Sequence, residues 1–240
     1  MDIQDKVVLI TGASAGIGLA TARKFAASGA KVALAARSAD KLARLAEELQ
    51  AQGHEALAAP ADMRDGGEVE RLVDAVYRHF GRIDILVNNA GQAAAGTIAS
   101  VSIADYRQII ELNMLGPLVA MQAVIPRMKQ NGGGLIINIS SMVSKMHIPG
   151  LAAYASTKAA LNMLSETARV ELAPDNIRVI TVFPRITLTD FGKNSLGNRE
   201  MRQGQRAVGP AVPMDTPEHV ADKIVEAAQR EPAEQTMEQP

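Results

Sequence analysis

Tyr154 and Lys158 stand four residues apart in the run YASTK, and the chain has only three tyrosines in all. The surrounding stretch, GLAAYASTKAALNMLSETARVEL, is rich in Ala and Leu and has no internal proline, which predicts a helix. Residues i and i+4 share one helix face, so the phenol and the ammonium point the same way and each can alter the other's hold on a proton. Taken alone, such a pair is more often a plain helix-surface contact. Its meaning depends on the company it keeps.

A second group of residues points to a phosphate. Thr11 to Gly18 reads TGASAGIG, between a β-branched apolar run and a helical pattern. Glycines in a strand-to-helix turn let backbone amides approach a pyrophosphate at the positive helix end. Gly12, Ser14, Gly16, Ile17 and Gly18 are therefore assigned to a dinucleotide cofactor. The spacing is G-x-x-x-G-x-G, and no Gly-Lys-Ser/Thr follows, so it is not a P-loop. About 20 residues past the glycines an acid would grip the ribose 2′-hydroxyl of NAD. This chain has Ala36 and then Arg37 there. A guanidinium with no carboxylate beside it favours a 2′-phosphate, hence NADP, the alternative being a solvated strand-end charge. Ser38 is expected to share that phosphate and to cap the next helix.

These residues need elements to hold them. Strands are predicted at Lys6–Ile10, Lys31–Arg37, Glu55–Asp62, Ile83–Gly91, Gly132–Ser141 and Asn176–Pro184. Helices are predicted at Gly16–Ser28, Ser38–Gln52, Gly67–Phe80, Ser102–Lys129 and through the Tyr154 stretch. Continuous apolar strands alternating with helices indicate a doubly wound (Rossmann) parallel α/β sheet with helices on both faces. One domain over residues 1–240 is expected. Residues 185–213 are too long and irregular for an ordinary connection and read as a substrate lid.

Composition narrows the function classes. With 47% hydrophobic residues, 240 residues can bury a sizeable core, and a formal charge of −1 gives no electrostatic case for nucleic acid or an anionic membrane. There are no cysteines, which removes disulfides, thiolate metal sites and a Cys nucleophile. The four histidines are scattered without metal-ligand spacing, so no metal is expected. The N-terminus carries acids where a signal peptide wants bases, and no stretch is read as reaching the roughly 18 apolar residues of a membrane span. A soluble, cytoplasmic protein without membrane contact is expected.

Together, TGASAGIG at 11–18, AD at 61–62, NNAG at 88–91, Asn113, NISS at 138–141 and YASTK at 154–158 resemble the short-chain dehydrogenase/reductase family. The resemblance implies an NADP(H)-dependent oxidoreductase interconverting a carbonyl compound and a secondary alcohol. By the same resemblance, the Asp62 carboxylate receives the adenine amino group, with the Met63 amide beside it. Asn89, Ala90 and Gly91 shape the cofactor floor, and Thr187 and Thr189 sit where the nicotinamide carboxamide is bound. Ser141, 13 positions before Tyr154, polarises the substrate in preference to Ser140. Asn113 holds a water in the proton path, Tyr154 is the general acid/base, and Lys158 lowers the phenol's pKa and donates to the nicotinamide ribose. A homodimer or homotetramer is implied, with the 102–129 and Tyr154 helices at the interface.

Departures from the family pattern are also legible. Arg185 replaces a glycine after the sixth strand, and the closing REPAEQTMEQP lacks the usual glycine-rich end, which puts the tetramer contact in question. If that glycine needs a positive φ, Arg185 must change the local path. The rival reading is a catalytically inactive NADP-binding regulatory protein on the same fold. Met142, Val143, Met146, Ile148 and Leu151 are read as either pocket wall or core. Lys193, Arg199, Arg202 and Arg206 are read as solvated charges or an anion site.

Overall fold

In a computed structural model describing residues 1–197 and 214–237, the apolar runs become strands wherever helices cover both sides of them. The first half comprises β1 (Val7–Thr11), α1 (Gly16–Ala27), β2 (Lys31–Ala35), α2 (Ala39–Ala51), β3 (Ala56–Ala58), α3 (Gly66–Phe80), β4 (Ile85–Asn88) and β5 (Ala94–Ala95). Then follow α4 (Ile103–Ile110), a π turn (Glu111–Leu115), α5 (Gly116–Gln130), β6 (Gly134–Ile139), α6 (Ala152–Leu172), β7 (Ile177–Phe183), β8 (Leu196–Gly197), α7 (Pro217–Arg230) and β9 (Glu234–Thr236). The main sheet runs β3-β2-β1-β4-β6-β7-β9 and is parallel throughout. It is a doubly wound sheet.

Each strand serves two cores, because alternate side chains point to opposite faces. From β1, Val8 and Ile10 join Phe25, Leu42, Leu49, Val220 and Ile224 on the α1–α2–α7 side. Val7 and Leu9 join Leu72, Val76, Met121, Val124 and Met128 on the α3–α5 side. Capping is local and explicable. Asp65 caps α3 by accepting from the Glu68 amide at 3.0 Å, and Gly81 ends that helix in the left-handed conformation. Ser38 takes the cap position of α2 but makes no side-chain capping bond, contrary to expectation.

Three further expectations need correction. The 102–129 helix is interrupted by the π turn, which inserts one extra residue and turns Asn113 into the interior. The run Ile103–Gln130, 28 residues at a mean hydropathy of 1.5 over its most apolar part, is long and apolar enough to cross a membrane by length and composition. Here one face of it packs on the sheet through Met121, Val124 and Met128, so it serves as a core helix. Finally, the closing segment supplies a seventh strand, β9, which pairs with β7 from Thr181↔Glu234 to Phe183↔Thr236. Its three residues Glu-Gln-Thr are polar because it lies at the sheet edge, so hydrophobic pattern could not announce it.

Candidate active site

The strand order reverses between β1 and β4, and such a switch point opens a crevice beyond the carboxyl ends of the strands. Four strand ends lead into it: β1 into the glycine turn, β4 into Asn89–Gly91, β6 into Ser140–Ser141, and β7 into Pro184–Thr189.

The glycine turn is a cradle that side chains would fill. A Cβ on Gly12, whose φ is +69°, would lie 2.9 Å from the Ala90 Cα, and one on Gly18 would collide with the Gly12 carbonyl oxygen. Only glycine fits either position. The Thr11 hydroxyl accepts from the Asn89 and Ala90 amides, both at 3.0 Å, and Asn89 Nδ2 donates back to the Thr11 carbonyl at 2.9 Å. The two turns are thereby one rigid unit, suited to hold a pyrophosphate at the N-terminus of α1. Thr11 was not among the expected site residues, although its place at the head of TGASAGIG was a usable signal. Ser14 and Ile17 lie in the same turn. A depression of about 420 Å³ beside Gly16 is lined by Ala15, Leu188, Thr189, Asp190, Lys193 and Pro217.

Beyond β2, Arg37 is exposed, flanked in the chain by Ala36 and Ser38, and its charge is felt by the Asp62 carboxylate. Asp62 is ionised but not open. Its carboxylate is gripped by Arg64, at 3.0 Å from Nε to Oδ1 and 2.5 Å from Nη2 to Oδ2, and the Arg64 amide donates to it at 3.0 Å. That guanidinium holds the Asp62 pKa below the ordinary carboxylate range, with burial opposing it. Arg64 was missed by sequence reasoning. Met63 is buried, and a side chain on Gly116 would meet its carbonyl oxygen.

At the other end of the crevice, α6 brings Tyr154 toward Ser141 and places Lys158 behind it. Tyr154 is 8% exposed; burial pushes its phenol up to about 12, and a hydrogen bond with Ser141 pulls the other way. Lys158 is 4% exposed, and burial pushes it down to about 8. Its Nζ donates to the Ile139 carbonyl at 2.8 Å. In the cofactor-free protein Lys158 is not among the causes that set the phenol's pKa: burial raises it, the Ser141 hydrogen bond lowers it, and the Lys158 Nζ makes its hydrogen bond to β6. A Cβ on Gly91 would stand 3.5 Å from that Nζ and 3.3 Å from Asn113 Oδ1, so both groups border the Asn89–Gly91 turn. Ser140, by contrast, is buried and tied to Asn162 Oδ1 at 2.5 Å.

Asn113 is held by three hydrogen bonds from protein. Its Oδ1 accepts from the Gln92 amide at 2.9 Å, and its Nδ2 donates to the Gln92 carbonyl at 2.8 Å and to Thr157 Oγ1 at 3.0 Å. It braces the residue that follows Gly91. The π turn that aims it has no sequence signature we could have read.

Pro184 to Gly197 crosses over this site. The Phe191 ring lies 5.8 Å from the Tyr154 ring, Gln92 Nε2 donates to the Asn194 carbonyl at 2.6 Å, and β5 and β8 pair in parallel. Thr187 Oγ1 donates to the Arg185 carbonyl at 3.1 Å, and Thr189 Oγ1 accepts from the Phe191 amide at 3.2 Å. Arg185 is not among the residues with positive φ. Lys193 pairs with Asp190 at 2.6 Å, whereas Arg199, Arg202, Arg206 and the rest of the expected lid lie outside the described residues. Val143 packs against the Tyr154 cluster and Met146 is exposed. None of Met142, Val143, Met146, Ile148 and Leu151 is a core residue. No cluster of potential metal ligands occurs among the described residues.

Known proteins share this fold. The family model for short chain dehydrogenase matches residues 6–200. An uncharacterized oxidoreductase of Methylorubrum extorquens is 38% identical over 225 residues, spanning 92% of this chain and 90% of the relative. A short-chain dehydrogenase/reductase from Burkholderia phymatum, solved with NAD, superposes with a TM-score of 0.90 at 27% identity over 99% of this chain and 90% of that one. An alcohol dehydrogenase from Thermococcus sibiricus, solved with 5-hydroxy-NADP, gives 0.83 at 32% identity over 99% of both chains. With the match covering both the glycine turn and the Tyr154 helix, the chain belongs to the short-chain dehydrogenase/reductase family of oxidoreductases.

Proposed function

We propose that the protein is an NADP(H)-dependent oxidoreductase that interconverts a carbonyl compound and a secondary alcohol. The observation that carries the reading is the meeting of the Ser141 hydroxyl and the Tyr154 phenol at the end of β6, with Lys158 bordering the Asn89–Gly91 turn. The nicotinamide, when bound, supplies the hydride. The charge that then builds on the carbonyl oxygen needs a donor and a proton. The Tyr154 phenol carries its proton at neutral pH, and giving it up as a general acid needs the burial-raised pKa brought back down. Ser141 donates to the same oxygen, a contribution of about 2.7–4 kcal/mol by analogy with an oxyanion-hole donor. Lys158, charged at pH 7, donates to the nicotinamide ribose and favours phenolate once its Nζ turns from Ile139. Asn113 braces the cofactor floor and holds a water in the proton path.

The selection of NADP rests on Arg37, with Ser38 beside it and Ala36 offering no acceptor to a bare ribose. In this reading Gly12, Ser14, Gly16, Ile17 and Gly18 hold the pyrophosphate, and Asn89, Ala90 and Gly91 form the floor. Asp62 and Met63 receive the adenine, Asp62 while shared with Arg64, and Thr187 and Thr189 turn their hydroxyls to the carboxamide. Residues 1–240 are one cytoplasmic domain, with 185–213 as its lid. Met163 on α6 is 64% exposed, and α4 presents Ile103, which supports a homodimer or homotetramer built on these helices; light scattering at micromolar concentration checks it. The decisive test is NADPH oxidation with a panel of ketones. Turnover is expected. NADPH binding without turnover of any ketone would instead make the chain an inactive cofactor-binding protein.

A further inference from the structure

Arg185 stands where the family resemblance leads one to expect glycine, and its side chain has a defined partner. Its guanidinium grips Asp215 at two points, Nη2 to Oδ1 at 2.7 Å and Nε to Oδ2 at 3.1 Å. Asp215 is 4% exposed, so its charge is costly unless paired. His219 Nε2 stands 3.9 Å from the same carboxylate, beyond hydrogen-bond distance, which leaves Arg185 as the cation that satisfies it. The backbones at the two ends of the pair are joined as well. The Leu188 amide donates to the Asp215 carbonyl and the Asp215 amide to the Ile186 carbonyl, each at 2.9 Å, making a parallel bridge between Thr187 and Asp215.

What hangs on this bridge is the wall of the crevice. On one side the Met142 amide donates to the Pro184 carbonyl at 3.0 Å, tying the stem of the crossing segment to the Ser141 turn. On the other side Asp215 leads directly into α7, which packs in the same core as α1. Between them, Leu188 and Thr189 line the depression beside the glycine turn, and the Thr189 γ-methyl stands 3.1 Å from where a Cβ on Gly16 would lie.

We propose that Arg185 and Asp215 are a positioning pair that sets Thr187–Thr189 against the glycine turn and thereby governs affinity for the nicotinamide half of the cofactor, not the adenosine half. The inference rests on the proposed function. A guanidinium is needed because two-point contact fixes the strand's orientation, which a single ammonium contact does not. Removing either partner strands a buried charge or loses its anchor, and the wall moves.

Titration calorimetry on the full chain with NADPH and with 2′,5′-ADP, which lacks the nicotinamide half, tests this. Arg185→Ala is expected to weaken NADPH at least tenfold and to leave 2′,5′-ADP within twofold, and the kinetic loss falls on KM for NADPH more than on kcat. Asp215→Asn follows the same pattern. Arg185→Lys, which keeps a cation on the buried carboxylate and so preserves folding, recovers part of the NADPH affinity. Unchanged NADPH binding in Arg185→Lys and Arg185→Ala alike, or equal loss of both ligands, overturns the inference while leaving the functional reading intact. Wild-type protein that binds neither ligand overturns both.

Discussion

At the Tyr154 end of the crevice the polar groups are buried and held by backbone, whereas at the Arg37 end the guanidinium is exposed to water. Asn113 and Lys158 exemplify the first kind: each is enclosed, Asn113 with both Nδ2 donors committed and Lys158 with one donor on the Ile139 carbonyl. Arg37 and Ser38 exemplify the second, standing at the start of α2 with no capping bond to fix the Ser38 side chain. In a low-dielectric interior each charge or hydrogen bond acts strongly and shifts proton affinities by large amounts. At the rim, water and salt dilute the same interactions. One crevice thus has an enclosed, polar wall at one end and a water-exposed rim at the other. Substitutions should rank accordingly.

The steepest effect is expected from Tyr154→Phe. It removes one hydroxyl and keeps the ring that packs near Phe191. Turnover should fall about 10²–10⁴-fold, the usual contribution of a positioned acid/base. NADPH affinity should stay within a few fold. Activity above about a tenth of wild type in a steady-state assay would remove Tyr154 from its role.

Lys158 tests the buried wall through stability. Its pKa falls from 10.5 to about 8 in the fold, so a shift of this size corresponds to something on the order of 3 kcal/mol. Between pH 8 and 10.5 the unfolded chain holds this proton and the folded chain does not. Stability should therefore rise with pH across that window, the buried charge being most costly below pH 8. Tyr154 works in the opposite sense above pH 10, because its folded pKa of about 12 keeps a proton the unfolded phenol gives up. Urea unfolding of cofactor-free protein at pH 7.5 and 9.5 isolates the lysine. Wild type should gain relative to Lys158→Met as pH increases, and parallel trends in the two proteins would contradict the burial assigned to the ammonium.

At the rim, the effect is smaller and responds to salt. A charge-assisted hydrogen bond of about 1.5–3 kcal/mol predicts a preference for NADPH over NADH of roughly 10- to 150-fold. Raising ionic strength should shrink it. Ala36→Asp with Arg37→Ile should reverse it, since a carboxylate repels the phosphate and accepts from a bare ribose. Equal affinity of wild type for both cofactors at low salt would reduce Arg37 to a solvated strand-end charge.

The same contrast explains what could be read from sequence. Buried parallel strands announce themselves as apolar runs, so β1, β2, β4, β6 and β7 were legible to within a few residues. TGASAGIG, with a glycine turn between two such elements, was legible for the same reason. Partners were harder. Spacing on α6 told that Tyr154 and Lys158 share a face, but not that the ammonium would find the Ile139 carbonyl first. Arg185 on Asp215 and the two-residue pairing of β5 with β8 are tertiary contacts between unremarkable residues, and Arg64 on Asp62 is a local turn contact with no spacing signature. A π turn is likewise one extra residue inside an otherwise helical pattern. None of these leaves a period to detect.

Ser38 and Asp65 give the mildest test and the cleanest one, because both occupy helix N-cap positions and only one of them caps. Asp65 accepts from the Glu68 amide at 3.0 Å, whereas Ser38 makes no such bond. Asp65→Ala should therefore cost about 1 kcal/mol of stability, the typical value of a cap. Ser38→Ala should cost well under that, since no capping bond is lost. If the Ser38 hydroxyl instead turns to the 2′-phosphate, losing that charge-assisted hydrogen bond at the water-exposed rim weakens NADPH binding by about tenfold, the low end for such bonds. NADH binding should not change. The pair of variants, measured by urea unfolding and by titration with both cofactors, separates a residue that serves its helix from one that serves the ligand. A Ser38→Ala variant that loses as much stability as Asp65→Ala and binds NADPH normally would return Ser38 to the helix and leave Arg37 alone at the rim.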